Sequence, residues 1–356
     1  MVAVDHELAA PFDARASLAR RMPVWLTITL GLTCLASLFV GATGTSPLAV
    51  LQAVVTGQDI AIADRVVILE IRLPRLVMGG LVGASLAVSG VILQGLFRNP
   101  LADPGLVGVS AGAGLGAISA IVLGGLLPPA IGAAIGSALV PIAAFGGSFV
   151  AVVVLYALST RHGQTSVATM LLAGIALAAI VGALTGLLVF RADDTQLRTL
   201  TFWSLGSLAG ATWGKILVAA PLMGLAILGA PVLASGLDGL ALGETAARHM
   251  GIHVESLKRR AIWVVSAAVG AAVAVSGGIG FVGIIVPHLL RLSTGPSHKL
   301  LLINAALLGA ITLLLADMVA RVIVAPAELP IGIIMALVGG PFFMWILLRR
   351  RGLMSV

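Results

Sequence analysis

Charge is scarce in this chain: of 356 residues only 10% are Asp, Glu, Lys or Arg, against roughly a quarter in a soluble domain. Its 21 basic and 14 acidic side chains cannot clothe a globular core of this length. That shortage excludes an ordinary soluble enzyme, a disordered chain and a nucleic-acid binder. Cysteine is nearly absent too, and the single Cys34, set in an apolar stretch, rules out a disulfide framework and any multi-cysteine metal site. The residue patterns of catalysis are missing as well. There is no HExxH pair, no CxxC and no GxSxG elbow. The nearest approach to a phosphate loop, Gly210 to Lys215, has the wrong spacing, with Ile216 where a magnesium-holding hydroxyl belongs. The six histidines fall in or near segments assigned below to one membrane face. No metal site and no catalytic residue is assigned.

Apolar sequence fills the space that charge leaves, at 59% of residues and a mean hydropathy of +1.14, so the natural solvent is lipid. A membrane-crossing helix needs about 20 mostly apolar residues. Runs free of Asp, Glu, Lys and Arg, broken at Gly124, Gly125, Pro128 and Pro129 and at Ser276 to Gly278, predict ten spans. They cover 24–43, 76–97, 106–127, 130–158, 166–190, 216–234, 261–279, 281–291, 300–324 and 330–348. The reading is an all-α polytopic membrane protein, with a tail at 1–22, a ten-helix transmembrane domain at 23–350 and a second tail at 351–356.

An even number of spans puts both termini on one side. That side carries fourteen of the 21 basic residues and seven of the 14 acidic ones, so the whole net charge of +7 lies there. Positive charge marks the cytoplasm. Acidic residues precede the first basic cluster, and the first apolar run is long enough to span, so the N-terminal segment is expected to be retained. The 44 glycines, many within spans, predict close helix packing where lipid supplies no hydrophobic drive.

Three segments stand out. Phe97 to Gly105 joins two spans through two prolines and reads as a rigid turn, either a tight connection or a constriction on a pathway. The loop at about 235–260 holds Leu240 to Gly251, a short helix with Glu244 and Arg248 at i and i+4 and Gly251 as its stop. It suits the membrane surface or a cytoplasmic partner. On the other face, Arg72 and Arg75 begin one span and Arg321 ends another. Such arginines anchor helix ends or dock an acidic protein. Asp317 and Arg321, at i and i+4, can neutralise each other.

At these residues the sequence resembles the permease subunits of ATP-binding-cassette importers for haem, iron–siderophore complexes and vitamin B12. The likeness runs from Arg72 to Arg350 and includes RLPRLVMGGLVGASLAVSGVILQGLFRNPLADPGLVGVSAGA, FWSLGSLAG, LALGETAARHMGI, GGIGFVGIIVPHLLRL and ELPIGIIMALVGGPFF. It implies ten helices in two related halves, a homodimer with the pathway at its interface, and both termini inside a bacterial inner membrane. It further implies two separate ATPase subunits that use the ATP, and a periplasmic binding protein. By the same resemblance Asn99, Leu101, Thr165 and Ser166 belong to cytoplasmic gates. Leu242, Gly243, Glu244, Ala247, Arg248 and Gly251 belong to the ATPase-coupling element, and Arg72, Arg75 and Arg321 to binding-protein docking. No cofactor is held permanently. Haem is the leading transported ligand, with siderophore and vitamin B12 behind it. The rival from another class, an ion-gradient-driven transporter, needs ionisable residues near the bilayer midplane, and apart from Asp317 the spans offer almost none.

Overall fold

A computed structural model describes residues 10–41, 56, 62–161 and 164–351. The helices, in chain order, are α1 (Ala10–Phe39), α2 (Ile62–Leu96), α3 (Val109–Leu123), α4 (Leu139–Ser159), α5 (Val167–Arg191) and α6 (Asp194–Ser204). They continue with α7 (Trp213–Ala241), α8 (Glu244–His249), α9 (Val254–Ser276), α10 (Val282–Thr294), α11 (His298–Val322) and α12 (Ile331–Arg351). Eight of them are long and apolar enough to cross a membrane, and two shorter apolar helices, Val282–Thr294 and Ile331–Ile346, stand where the eighth and tenth spans were predicted.

Helix α2 is the hub, packed against α7, α9, α10 and α11 and buried over most of its length. Its glycines explain how neighbours come so close. Gly83 lies backbone to backbone with Gly309 of α11, and Gly90 with Gly283 of α10, so that any side chain there would collide with main chain. Helix α5, in contrast, leaves most of its surface uncovered, including Leu172, Ile175, Leu187 and Phe190. Among the described residues the strand content is one antiparallel pair of two-residue strands, β1 (Thr160–Arg161) and β2 (Gln164–Thr165), with Thr160 opposite Thr165.

Several predicted boundaries move, for one reason: charge-free windows find the apolar centre of a helix, while backbone hydrogen bonding continues beyond it. Helix α2 begins at Ile62 rather than 76, running through Glu70, Arg72 and Arg75. A π-helical stretch, Val66–Arg72, lies just ahead of Pro74, which lacks an N–H and crowds the preceding turn. The predicted tail 1–22 is helical from Ala10, and residues 1–9 and 352–356 of the two tails lie outside the described residues. The span at 130–158 divides at Gly136, where φ is 50°, into a short helix Pro129–Ile135 and α4. The loop at 235–260 shrinks from both ends, since α7 reaches Ala241 through a tight turn at Ala230–Leu233 that carries Pro231, and α9 starts at Val254.

Candidate functional site

Two opposite ends of the bundle carry the polar residues. At one, called here the basic face, α2 ends beside the start of α11: the His298 imidazole lies against Gly95, and its Nδ1 sits 2.6 Å from Asp238 Oδ1 at the end of α7. The Phe97 to Gly105 turn follows α2 here. Asn99 Oδ1 accepts from the Leu101 N–H at 3.0 Å, an Asx turn that fixes the chain between the prolines. Asp103 caps the next turn, accepting from the Gly105 N–H at 2.8 Å. Burial pushes its carboxyl above the ordinary range, and that hydrogen bond offsets part of the rise. Leu101 is half-buried and Asn99 exposed, so the first predicted gate pair lies on a stiffened surface loop.

The second pair sits where β2 runs into α5. Ser166 caps α5, accepting from the Thr169 N–H at 3.3 Å and facing the Thr169 hydroxyl at 3.0 Å. Thr165 is buried, its hydroxyl 3.0 Å from that of Thr160. Its main chain is held by two side chains of α9: the Thr165 N–H donates to Glu255 Oε2 at 2.7 Å, and its carbonyl accepts from Lys258 Nζ at 2.8 Å. The turn that follows the first gate loop, Pro104–Val107, packs on α5, so one helix supports both gate segments.

Helix α8 projects between α7 and α9, as the Glu244 to Gly251 pattern predicts. It starts after Gly243, at φ 108°, and ends at Gly251, at φ 82°. There the Ile252 N–H bonds to Ala247 O and the Gly251 N–H to Arg248 O, both at 3.0 Å, the pattern of a Schellman stop. Ala247 faces inward and is fully buried, while Leu242 is 71% exposed and Arg248 and Met250 are exposed beside it. Glu244 and Arg248 pair at 3.7 Å.

At the opposite end the C-termini of α1 and α11 meet the first half of α2. The three arginines expected to dock a binding protein, Arg72, Arg75 and Arg321, gather at this end, and each is 5% exposed or less. Arg75 reaches Asp317 through Nε and Nη2, both at 2.8 Å, and Glu328 through Nη1 at 2.7 Å. Arg321 Nε lies 3.1 Å from Asp317, and its other nitrogens donate to Ser37 and to the Val40 carbonyl. Arg72 Nη1 donates to the Leu38 carbonyl at 2.5 Å. The physical reason is that α1 ends on top of them: buried guanidinium groups require partners, and the open carbonyls of a helix C-terminus supply them.

Sequence reasoning missed α6, which lies beside this outer end. Its signal was the Asp193-x-x-Gln196 capping box, formed here with bonds of 2.8 and 3.1 Å. The chain after α6 threads between two other quoted motifs: Ser207 N–H donates to Ser276 O at 2.8 Å, while Gly206 abuts Gly278 and Gly332 abuts the Leu205 carbonyl. A recess of about 380 Å³ opens there, lined by Ser204, Leu205, Gly280, Phe281 and Gly332 among others. Lys258 and Glu255 were also missed as site residues, since only the fold brings them to Thr165.

A bundle of apolar helices, eight of them long enough to cross a membrane and packed through glycines, with a buried polar corner at one end, is the frame of a polytopic membrane protein. The sequence profile of the FecCD transport family matches residues 29–349, and the chain belongs to that family. It is 48% identical over 284 residues, 80% of this chain and 83% of the relative, to the hemin transport system permease HmuU of Yersinia pestis. Over 290 residues, 81% of this chain and 74% of the other, it is 43% identical to the cobalamin import permease BtuC of Halobacterium salinarum. Among solved structures, a metal-chelate type ABC transporter in an inward-facing conformation superposes with a TM-score of 0.80 at 32% identity, covering 93% of this chain and 99% of the other. The family consists of transport permeases rather than catalytic subunits.

Proposed function

We propose that this chain is the permease of an ATP-driven importer that carries haem from a periplasmic binding protein to the cytoplasm. The observation that carries the reading is α8, a short helix with an exposed Leu242 that is bracketed by two glycines at positive φ. It stands on the basic face, which the charge distribution makes cytoplasmic. Two ATPase subunits dock there and hydrolyse ATP, and this chain contributes no catalytic group. The similarity to a hemin permease, at 48%, favours haem over vitamin B12, whose permease from Halobacterium salinarum is 43% identical.

The functional unit is a homodimer in a bacterial inner membrane, with both termini inside and the pathway between the two copies. Helix α5 supports this arrangement, for Gly182 and Gly186 form a GxxxG step with nothing among the described residues packed against either, the pattern that lets a second helix approach. Asn99, Leu101, Thr165 and Ser166 gate the inner end. The binding protein docks at the arginine corner, where carboxylates would replace the neutral carbonyl acceptors of Arg72 and Arg321, an exchange that makes stronger, charge-assisted bonds.

The test is uptake into proteoliposomes holding the permease and its ATPase, offered binding protein loaded with haem, ferric siderophore or vitamin B12. ATP-dependent accumulation of haem is expected. Accumulation of another ligand would replace the substrate and keep the mechanism, whereas accumulation on an ion gradient without the ATPase would overturn the reading.

A further inference from the structure

We propose that Glu255 and Lys258 of α9 are positioning residues that relay movement of α8 to the gate, acting through the main chain of Thr165; the inference rests on the importer reading above. Lys258 is only 3% exposed, and its ammonium has three donors. All three are committed: to Glu244 of α8 at 2.9 Å, to Glu255 at 3.2 Å and to the Thr165 carbonyl at 2.8 Å. One buried cation therefore touches both the partner helix and the gate strand. Glu255 completes the hold by accepting the Thr165 N–H at 2.7 Å.

The strand pair is too short to satisfy itself. Thr165 is the inner residue of a two-residue strand, and its backbone takes charged side chains where a longer sheet would offer a ladder. Both of its polar groups are thus fixed to the first turns of α9. Helix α8 has a glycine at positive φ on each side, so it can tilt about its ends. If Glu244 moves away, a buried ammonium loses its charge-assisted partner, at a cost larger than that of any exposed pair nearby. Lys258 must follow, and Thr165 with it. Arg248 is unsuited to the same task, because it is half-exposed and its contacts with Glu244 and Glu255 are 3.7 and 3.9 Å, a geometry that contributes little. A groove of about 760 Å³, lined by Arg161, Thr165, Ser166, Glu244, Glu255 and Lys258 among others, gives the gate strand room to shift.

A fixed clamp and a relay differ in what they do to coupling. The test measures ATP hydrolysis and ligand accumulation together in proteoliposomes for Lys258→Met, Lys258→Arg and Glu255→Ala, on complexes assembled to wild-type amounts. The relay predicts that Lys258→Met and Glu255→Ala keep hydrolysing ATP while ligand accumulated per ATP falls about tenfold or more, the scale of one lost bond to a charged group. Lys258→Arg, which keeps the charge, should recover part of the loss. Where Lys258→Met prevents assembly, Glu255→Ala, at a partly exposed position, reads the same link. Ligand per ATP unchanged from wild type, or hydrolysis and accumulation falling in proportion, would overturn the relay alone. A wild-type complex with no ATP-driven uptake of any of the three ligands would overturn the importer reading, and the relay with it.

Discussion

Arg75 has no guanidinium nitrogen without a carboxylate: Nε and Nη2 face Asp317 and Nη1 faces Glu328. Removing it leaves a buried Asp317 carboxylate to Arg321 alone, and breaking a buried pair costs about 3–5 kcal/mol. Arg72 and Arg321 differ, since each also donates to neutral acceptors at the end of α1, Arg321 in addition to its pair with Asp317. We therefore expect Arg75→Ala to lower the thermal unfolding temperature of the solubilised protein strongly. Arg72→Gln, which keeps a donor for the Leu38 carbonyl, should instead weaken capture of the binding protein more than it weakens the fold. Equal thermal losses in the two variants, with capture unaffected by Arg72→Gln, would remove the distinction. Sequence inspection reached these three arginines and the Asp317–Arg321 spacing. It could not show that Arg75 is the central member, because Glu328 and Asp317 converge on it only when α2 and α11 pack.

Helix breaks, rather than helix centres, hold the conformational signals. Gly277 has φ 71°, and a side chain there would strike the Trp203 carbonyl. Gly277→Ala should destabilise the fold by at least about 1–2 kcal/mol from the left-handed backbone alone, with a further loss from that collision. Gly280→Ala, facing open space at an ordinary φ, should be close to neutral in the same melting experiment, and a similar loss at both positions would refute the argument. Phe281, two residues before Gly283, also sits at positive φ, 68°, and packs on Gly339. The Ser276 to Gly278 break was legible as a cluster of small residues. The partner that demands it, the chain end of α6, was not, because α6 is too polar for a charge-free window to find.

The whole bundle buries α2, α9 and α11 and leaves α5 largely uncovered. In lipid an exposed apolar face carries no penalty, so the open Gly182 and Gly186 step is more telling than the exposed leucines around it. Gly186→Ile should lower the dimer fraction of the purified permease, measured by light scattering in detergent, while leaving the helical content intact. An unchanged dimer would move the interface elsewhere.

Membrane class, the apolar helices and the existence of α8 follow from the amino-acid sequence alone. Hydropathy, charge and capping are properties of neighbouring residues, and a chain that must satisfy its backbone in lipid has little choice but to form helices. Tertiary structure decided which charges are buried and which residue holds the gate strand. Thr165 and Lys258 stand 93 positions apart, and no local pattern marks a backbone carbonyl as the partner of a distant ammonium. Packing of α9 against the end of α4 brings them together, and the burial of the Lys258 ammonium makes their bond matter.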